Sequence, residues 1–92
     1  MSTVEDPVLE AAREEIAALD VRILSIVNER IGKVAELRRY KDERGIAFVD
    51  REREAWLTDY LQRLNPGPLS DAGVAELTSF VLTLVKREVA RG

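Results

Sequence analysis

The residues from Pro7 to Arg44 form the longest uninterrupted helical pattern in this chain of 92 residues. Apolar side chains recur at steps of three and four from Ile16 to Leu37, which is the period of one helix face. A helix of this length measures about 57 Å, whereas a compact monomer of this size has a radius of gyration of only about 12 Å. The pattern therefore predicts a helix whose apolar face is covered by another chain, most simply in a symmetric dimer. The alternative is a helix that kinks or folds back near Gly32.

Three cations lie on or beside this apolar face. Arg13 precedes Ile16 by three positions, Arg30 lies in the middle of the face, and Lys41 follows Leu37 by four positions. Because an unpaired buried cation is costly, cations on a core-facing surface indicate that an anion binds there. For Arg13 and Lys41, near the helix ends, the alternative is that only the aliphatic stems cover apolar surface.

Capping residues divide the chain into three predicted helices. Asp6 followed by proline is a typical start for the first helix, and Gly45 is a typical stop. Asp50 begins a second helix, which ends at the turn formed by residues 65–68, and Ser70 begins a third. We expect an all-α fold with one very long N-terminal helix, two shorter helices and no sheet.

Composition narrows the chemistry. The chain is short enough for a single domain over residues 1–92, and its 46% hydrophobic and 34% charged residues fit a helical bundle. It has no cysteine and no histidine, so thiol catalysis, thiolate metal sites and a histidine base are excluded. The remaining candidates for site residues are Arg, Lys, Asp, Glu and hydroxyl groups.

Charge and hydropathy predict where the protein works. The formal net charge of −3 disfavours nucleic acid as a partner. No stretch approaches 18 apolar residues, and the first residues lack a basic and apolar signal pattern. We therefore expect a soluble cytoplasmic protein with no membrane contact, and a frayed tail over residues 1–5.

Several short motifs follow one another in a recognisable order. The motifs are R-E-E-I-A-A-L-D at Arg13 to Asp20, E-R at Glu29 and Arg30, Lys41, and D-R-E-R-E at Asp50 to Glu54. In these motifs the chain resembles the all-helical chorismate mutases, which carry an Arg opening the first helix, a mid-helix Arg, a Lys near its end and Asp-x-x-Arg-Glu starting the second helix. The resemblance implies an intertwined helical homodimer with two active sites that rearranges chorismate to prephenate without a cofactor.

The spacing of the cations leads to a shared site as well. Lys41 follows Arg30 by 11 residues, which is three turns and about 16 Å on the same helix face. Arg13 precedes Arg30 by 17 residues, about 26 Å along the axis, so it cannot reach the same small ligand within one chain. In an antiparallel helix pair the partner's Arg13 could reach it.

Chorismate is a dianion, so the two arginines suit its two carboxylates. Arg30 and the partner's Arg13 would bind them through bidentate hydrogen bonds. The pericyclic step requires no base or nucleophile, but its transition state places partial negative charge on the ether oxygen. Lys41 would stabilise that charge more strongly than it stabilises the substrate. The resemblance further implies that Glu54 accepts from the substrate hydroxyl, with Asp50 lining the same end and Arg53 supporting it.

The last helix departs from the family pattern. Many relatives carry a serine there and, four residues later, a Gln or Glu that faces the ether oxygen. A count without gaps places Val85 and Val89 at these positions, and a shift of one residue places Leu84 and Glu88. Glu88 would serve only in its protonated form, because a carboxylate would repel the developing charge. We favour the register that places Glu88 at the ether oxygen, with the register of Val85 and Val89 as the alternative. If no side chain of the last helix donates to that oxygen, the isolated enzyme would be slow.

Other functions on the same fold compete with the leading hypothesis of a chorismate mutase, an isomerase of Phe and Tyr biosynthesis. One is an isochorismate pyruvate-lyase, and another is a mutase of 4-amino-4-deoxychorismate. A third is a helical dimer or regulatory module that docks on another shikimate-pathway enzyme.

Overall fold

The computed structural model describes residues 6–92, and these residues form three helices and no strand. Helix α1 spans Pro7–Glu43, α2 spans Arg51–Leu64 and α3 spans Asp71–Arg91. The predicted all-α fold with one very long first helix is confirmed. The tail predicted for residues 1–5 lies outside the described residues.

Helix α1 begins and ends at the predicted signals. The Asp6 carboxylate accepts hydrogen bonds from the backbone N–H groups of Val8 at 3.0 Å and Leu9 at 3.2 Å, which satisfies two donors that the first turn leaves free. Beyond the C-terminus, Gly45 adopts a φ of 68°, a left-handed conformation that costs glycine little. The helix continues without interruption through Gly32, so the fold-back considered from the sequence does not occur.

The two shorter helices are also capped by side chains. Asp50 accepts from the backbone N–H of Arg53 at 3.0 Å, and the Ser70 hydroxyl accepts from that of Gly73 at 2.9 Å. Between the helices, the Asn65 amide donates to the Leu69 carbonyl at 2.6 Å and braces the turn. These local bonds explain why the predicted boundaries are close to the observed ones.

The buried core residues all belong to α3, which packs against both α1 and α2. Its buried residues are Val74, Thr78, Val85 and Val89, spaced by four and seven positions along one face. The Thr78 hydroxyl is satisfied by donating to the Val74 carbonyl at 2.7 Å. Helix α3 therefore orients α1 and α2 relative to each other.

The N-terminal half of α1 projects beyond this core. The radius of gyration is 18.0 Å and the longest dimension 61 Å, well above the value of about 12 Å for a compact chain of this length. Large apolar side chains in this half remain exposed: Val8, Leu9, Ile16, Leu19, Val21, Ile23, Leu24 and Ile26. None of the described helices is both long and apolar enough to cross a membrane.

Candidate active site

A cleft of about 490 Å³, including its open mouth, lies where the three helices meet. The C-terminal half of α1, the connector, the start of α2 and the end of α3 all contribute to it. Its lining residues are Arg30, Val34, Leu37, Lys41, Phe48, Asp50, Arg53, Glu54, Leu82, Val85 and Lys86.

Helix α1 supplies two cations separated by an apolar floor. Arg30 and Lys41 both line the cleft and are half-buried, with Val34 and Leu37 between them on the same face. The Lys41 ammonium donates to the Phe48 carbonyl at 3.2 Å, so the connector after α1 holds this side chain in place. Between the described residues, neither Arg30 nor Lys41 forms an ion pair, which leaves both charges available to a bound anion.

The first turn of α2 brings three charged side chains to the cleft. Asp50 lines it and also caps the helix, so its position is set by the local backbone. The Arg53 guanidinium lies over the Trp56 ring at 3.9 Å from the ring centroid, a stacking contact that restricts its movement. Glu54 follows one position later and faces α3.

Lys86 on α3 completes the charged lining, and the sequence reasoning missed it. Its ammonium lies 2.8 Å from the Glu54 carboxylate, in an ion pair that crosses from α3 to α2. The signal that could have identified it is its place directly after Val85, at the edge of the apolar face of α3. Such a position is equally typical of an ordinary exposed charge.

Of the α3 residues that the sequence suggested for the site, only one lines the cleft. Val85 lines the cleft and is fully buried, while Val89 is buried but is not among the lining residues. Glu88 is not a lining residue either, and its carboxylate pairs with Arg91 one helical turn away, at 3.3 Å. The last helix thus presents an apolar side chain and an ammonium to the cleft.

Arg13 is separate from the cleft of its own chain. It lies on the projecting half of α1, two-thirds exposed, and its guanidinium is 3.5 Å from the Glu10 carboxylate. A pair of this kind, exposed and within one helix, is weak and easily exchanged. Arg13 therefore does not contribute to the cleft of its own chain.

The charge of the cleft suits a dianion. Four cations and two carboxylates line it, namely Arg30, Lys41, Arg53, Lys86, Asp50 and Glu54, which leaves two positive charges uncompensated. Apolar side chains cover the rest of its wall and lower the local dielectric, so these charges act more strongly than they would in water. Over residues 6–92, no group of three or more Asp and Glu side chains could hold a metal ion.

Solved structures with the same fold include chorismate mutase from Thermus thermophilus in two forms. Form I has a TM-score of 0.81 and 30% identity, and the match covers 84% of this chain and 96% of that chain. Form II has a TM-score of 0.85 and 29% identity, with 90% and 94% covered.

Proteins with similar sequences include bifunctional enzymes that contain a chorismate mutase. The bifunctional chorismate mutase/prephenate dehydratase of Stutzerimonas stutzeri is 36% identical over 75% of this chain, and that of Pseudomonas aeruginosa is 34% identical over the same share. The chain spans only about 20% of the length of these curated relatives. The model of the family described as chorismate mutase type II matches residues 12–89. The chain therefore belongs to the type II chorismate mutase family.

Proposed function

We propose that this protein is a chorismate mutase, an isomerase that converts chorismate to prephenate in the biosynthesis of Phe and Tyr. The observation that carries the proposal is the cleft itself, in which a dianion would meet two uncompensated positive charges and an apolar wall. Membership of the family supports the reaction. The rearrangement breaks the ether C–O bond and forms a C–C bond within one molecule, so it consumes no second reactant.

In this proposal each cation has a defined task. Arg30 binds one substrate carboxylate through paired hydrogen bonds. Lys41 donates to the ether oxygen, where negative charge develops as the C–O bond breaks. Its bond to the Phe48 carbonyl at 3.2 Å uses one of three ammonium protons, so two remain for the substrate. A donor held in position before the reaction favours the transition state over the ground state.

The end of the cleft formed by α2 binds the substrate hydroxyl. Glu54 accepts a hydrogen bond from the substrate hydroxyl with the carboxylate oxygen that Lys86 leaves free, and Asp50 lies beside it. Arg53, stacked on Trp56, supports this end. Binding both ends of the substrate holds it in the compact form from which the new C–C bond can form, and this orientation supplies part of the rate.

At the ether oxygen, we propose that Val85 forms an apolar wall and that Lys41 acts without a partner from α3. The lining of the cleft supports this version, because it includes Val85 and does not include Glu88. The alternative is that Glu88 turns into the cleft and donates in its protonated form. A site with one donor at this oxygen would be slower than one with two.

We further propose that the active protein is a homodimer with two shared sites. The exposed apolar face of the projecting half of α1 supports it, since large apolar side chains clustered on an exposed surface usually mark an interface. Covering this face with an antiparallel copy of α1 would bring the partner's Arg13 to the second substrate carboxylate. Each site would then need residues from both chains.

That residues 1–92 form a single domain and that the protein is cytoplasmic remain predictions from the sequence.

The decisive experiment measures substrate loss and product identity for purified protein given chorismate, isochorismate and 4-amino-4-deoxychorismate separately. Formation of prephenate from chorismate is the expected result. Release of pyruvate from isochorismate, without conversion of chorismate, would instead identify a lyase, because the same cations would bind that isomeric dianion. Turnover of none of the three would contradict an enzymatic role.

A second candidate is a regulatory or docking module for another enzyme of the shikimate pathway. The observation in its favour is that both curated relatives join a chorismate mutase to a second enzyme in one chain. The two roles are compatible. Assays of the protein alone and with candidate partner enzymes separate them, since a docking role predicts activity that rises when the partner is present.

A further inference from the structure

The ion pair between Lys86 and Glu54 differs from every other ion pair between described residues. The other pairs join side chains no more than four positions apart in the chain, whereas this one joins residues 32 positions apart and links α3 to α2. It is also the shortest of them, at 2.8 Å, and its side chains are only 33% and 27% exposed. A short, partly shielded pair that lines a cleft influences what binds there.

The pair determines how much negative charge Glu54 presents at one end of the cleft. Glu54 alone would present a negative charge to any group that enters, and it would attract an ammonium as readily as a hydroxyl. With Lys86 in contact, that negative charge is already compensated. The free carboxylate oxygen can still accept one hydrogen bond from a neutral donor. A second cation at this end would meet the Lys86 ammonium as a like charge in a partly desolvated site, which is unfavourable.

The other end of the cleft strengthens this effect. Arg30 and Lys41 line it without an ion-pair partner between described residues. A ligand with two negative charges is attracted by both of these cations. A ligand that carries the same two carboxylates and an added ammonium is attracted less strongly by these cations. Its ammonium must also lose its hydration, at a cost in binding free energy.

We propose that Lys86, through its ion pair with Glu54, makes the cleft select a hydroxyl-bearing dianion over its amino analogue. The inference rests on the proposed function and specifies its substrate: chorismate is accepted and 4-amino-4-deoxychorismate, whose amine is protonated at pH 7, is rejected. Lys86 acts as a specificity-determining residue. It need not touch the reacting bond.

The test compares kcat/KM for the two substrates at pH 7 in the wild type, Lys86→Met and Lys86→Arg. The matched control is Arg87→Met, which removes the same charge one position further along α3, at an exposed residue outside the cleft lining. The measured quantity is the ratio of the two kcat/KM values within each variant. Effects of a variant on overall stability cancel in that ratio.

Two like charges about 5 Å apart in a medium of effective dielectric 20 change an equilibrium constant on the order of a hundredfold. Because both side chains are partly exposed, we expect Lys86→Met to narrow the preference for chorismate by about tenfold. Lys86→Arg should preserve most of the preference, and Arg87→Met should leave it unchanged. Lys86→Gln replaces Lys86→Met if circular dichroism shows that the methionine variant does not fold.

An unchanged ratio in Lys86→Met, with both substrates losing activity together, would overturn the inference and reduce the pair to a structural link between α2 and α3. A wild type that converts both substrates equally well would overturn it too. Both results would leave the proposed mutase intact. A wild type that converts neither substrate would contradict the proposed function, and the inference with it.

Discussion

Replacement of Lys41 by methionine is the most direct test of how the cleft accelerates the reaction. Methionine keeps the length of the side chain and removes its charge and its donors. In the proposed mechanism Lys41 acts on charge that appears only in the transition state. Its loss should therefore lower kcat strongly while KM changes little.

The structure allows the size of the effect to be estimated. Loss of one donor to a developing oxyanion costs about 3–4 kcal/mol, or on the order of 10²–10³ in kcat. Lys41 is half-buried in a cleft that is open at its mouth, and Arg30 and Lys86 remain in the lining of the variant. Water and the remaining cations would partly replace the missing charge. We therefore expect the lower end of the range, about a hundredfold.

The bond from Lys41 to the Phe48 carbonyl also contributes to folding, so stability requires a separate measurement. Loss of this bond should cost about 0.5–1.5 kcal/mol in the free energy of unfolding, far less than the catalytic effect. Lys33→Met is a matched control on the same helix, because Lys33 is 82% exposed and pairs only with Glu36 at 3.7 Å. Its kcat should stay within about twofold of the wild type.

The assay is steady-state turnover of chorismate over a range of concentrations that brackets KM, together with thermal unfolding of each variant. A Lys41→Met protein that binds weakly but turns over at the normal kcat would refute the reasoning. Lys41 would then be a clamp for a substrate carboxylate, and stabilisation of the ether oxygen would have to come from another group.

Three further outcomes follow from the same structure. Arg13→Ala and Arg30→Ala proteins should each be inactive. Re-equilibrated mixtures of the two should regain activity, because one site of each mixed dimer has both arginines. Mixtures that stay inactive although mixed dimers are confirmed would exclude a shared site. Ile23→Asp, which puts a carboxylate on the exposed apolar face of α1, should dissociate the dimer in sedimentation experiments, and a compact, folded wild-type monomer at micromolar concentration would contradict the proposed assembly. Gly45→Ala should lower the free energy of unfolding by about 1–2 kcal/mol, because Gly45 has a φ of 68°. Gly32→Ala should instead raise it by about 1 kcal/mol, because Gly32 lies inside α1 and the added methyl group meets nothing within 4 Å.

Local signals in the sequence were sufficient to predict the three helices. Asp6, Asp50 and Ser70 each cap a helix through a side-chain bond to a backbone N–H group only two or three positions away. Interactions of such short range depend on neighbouring residues alone, so they can be identified from sequence. The regular spacing of Arg30 and Lys41 along one helix likewise predicted that both face the same side, and both line the cleft.

The face that α3 presents to the cleft depended on tertiary structure. Counting along the sequence left Val85 and Glu88 as competing candidates, because the turn at residues 65–70 does not specify how the following helix is rotated about its axis. The rotation is set by the burial of Val85 and Val89 against the other helices. It keeps Glu88 out of the cleft lining and brings Lys86 to Glu54, 32 positions away. A contact between residues so distant in sequence arises only from packing, and for that reason the sequence alone did not reveal the cation proposed to determine specificity.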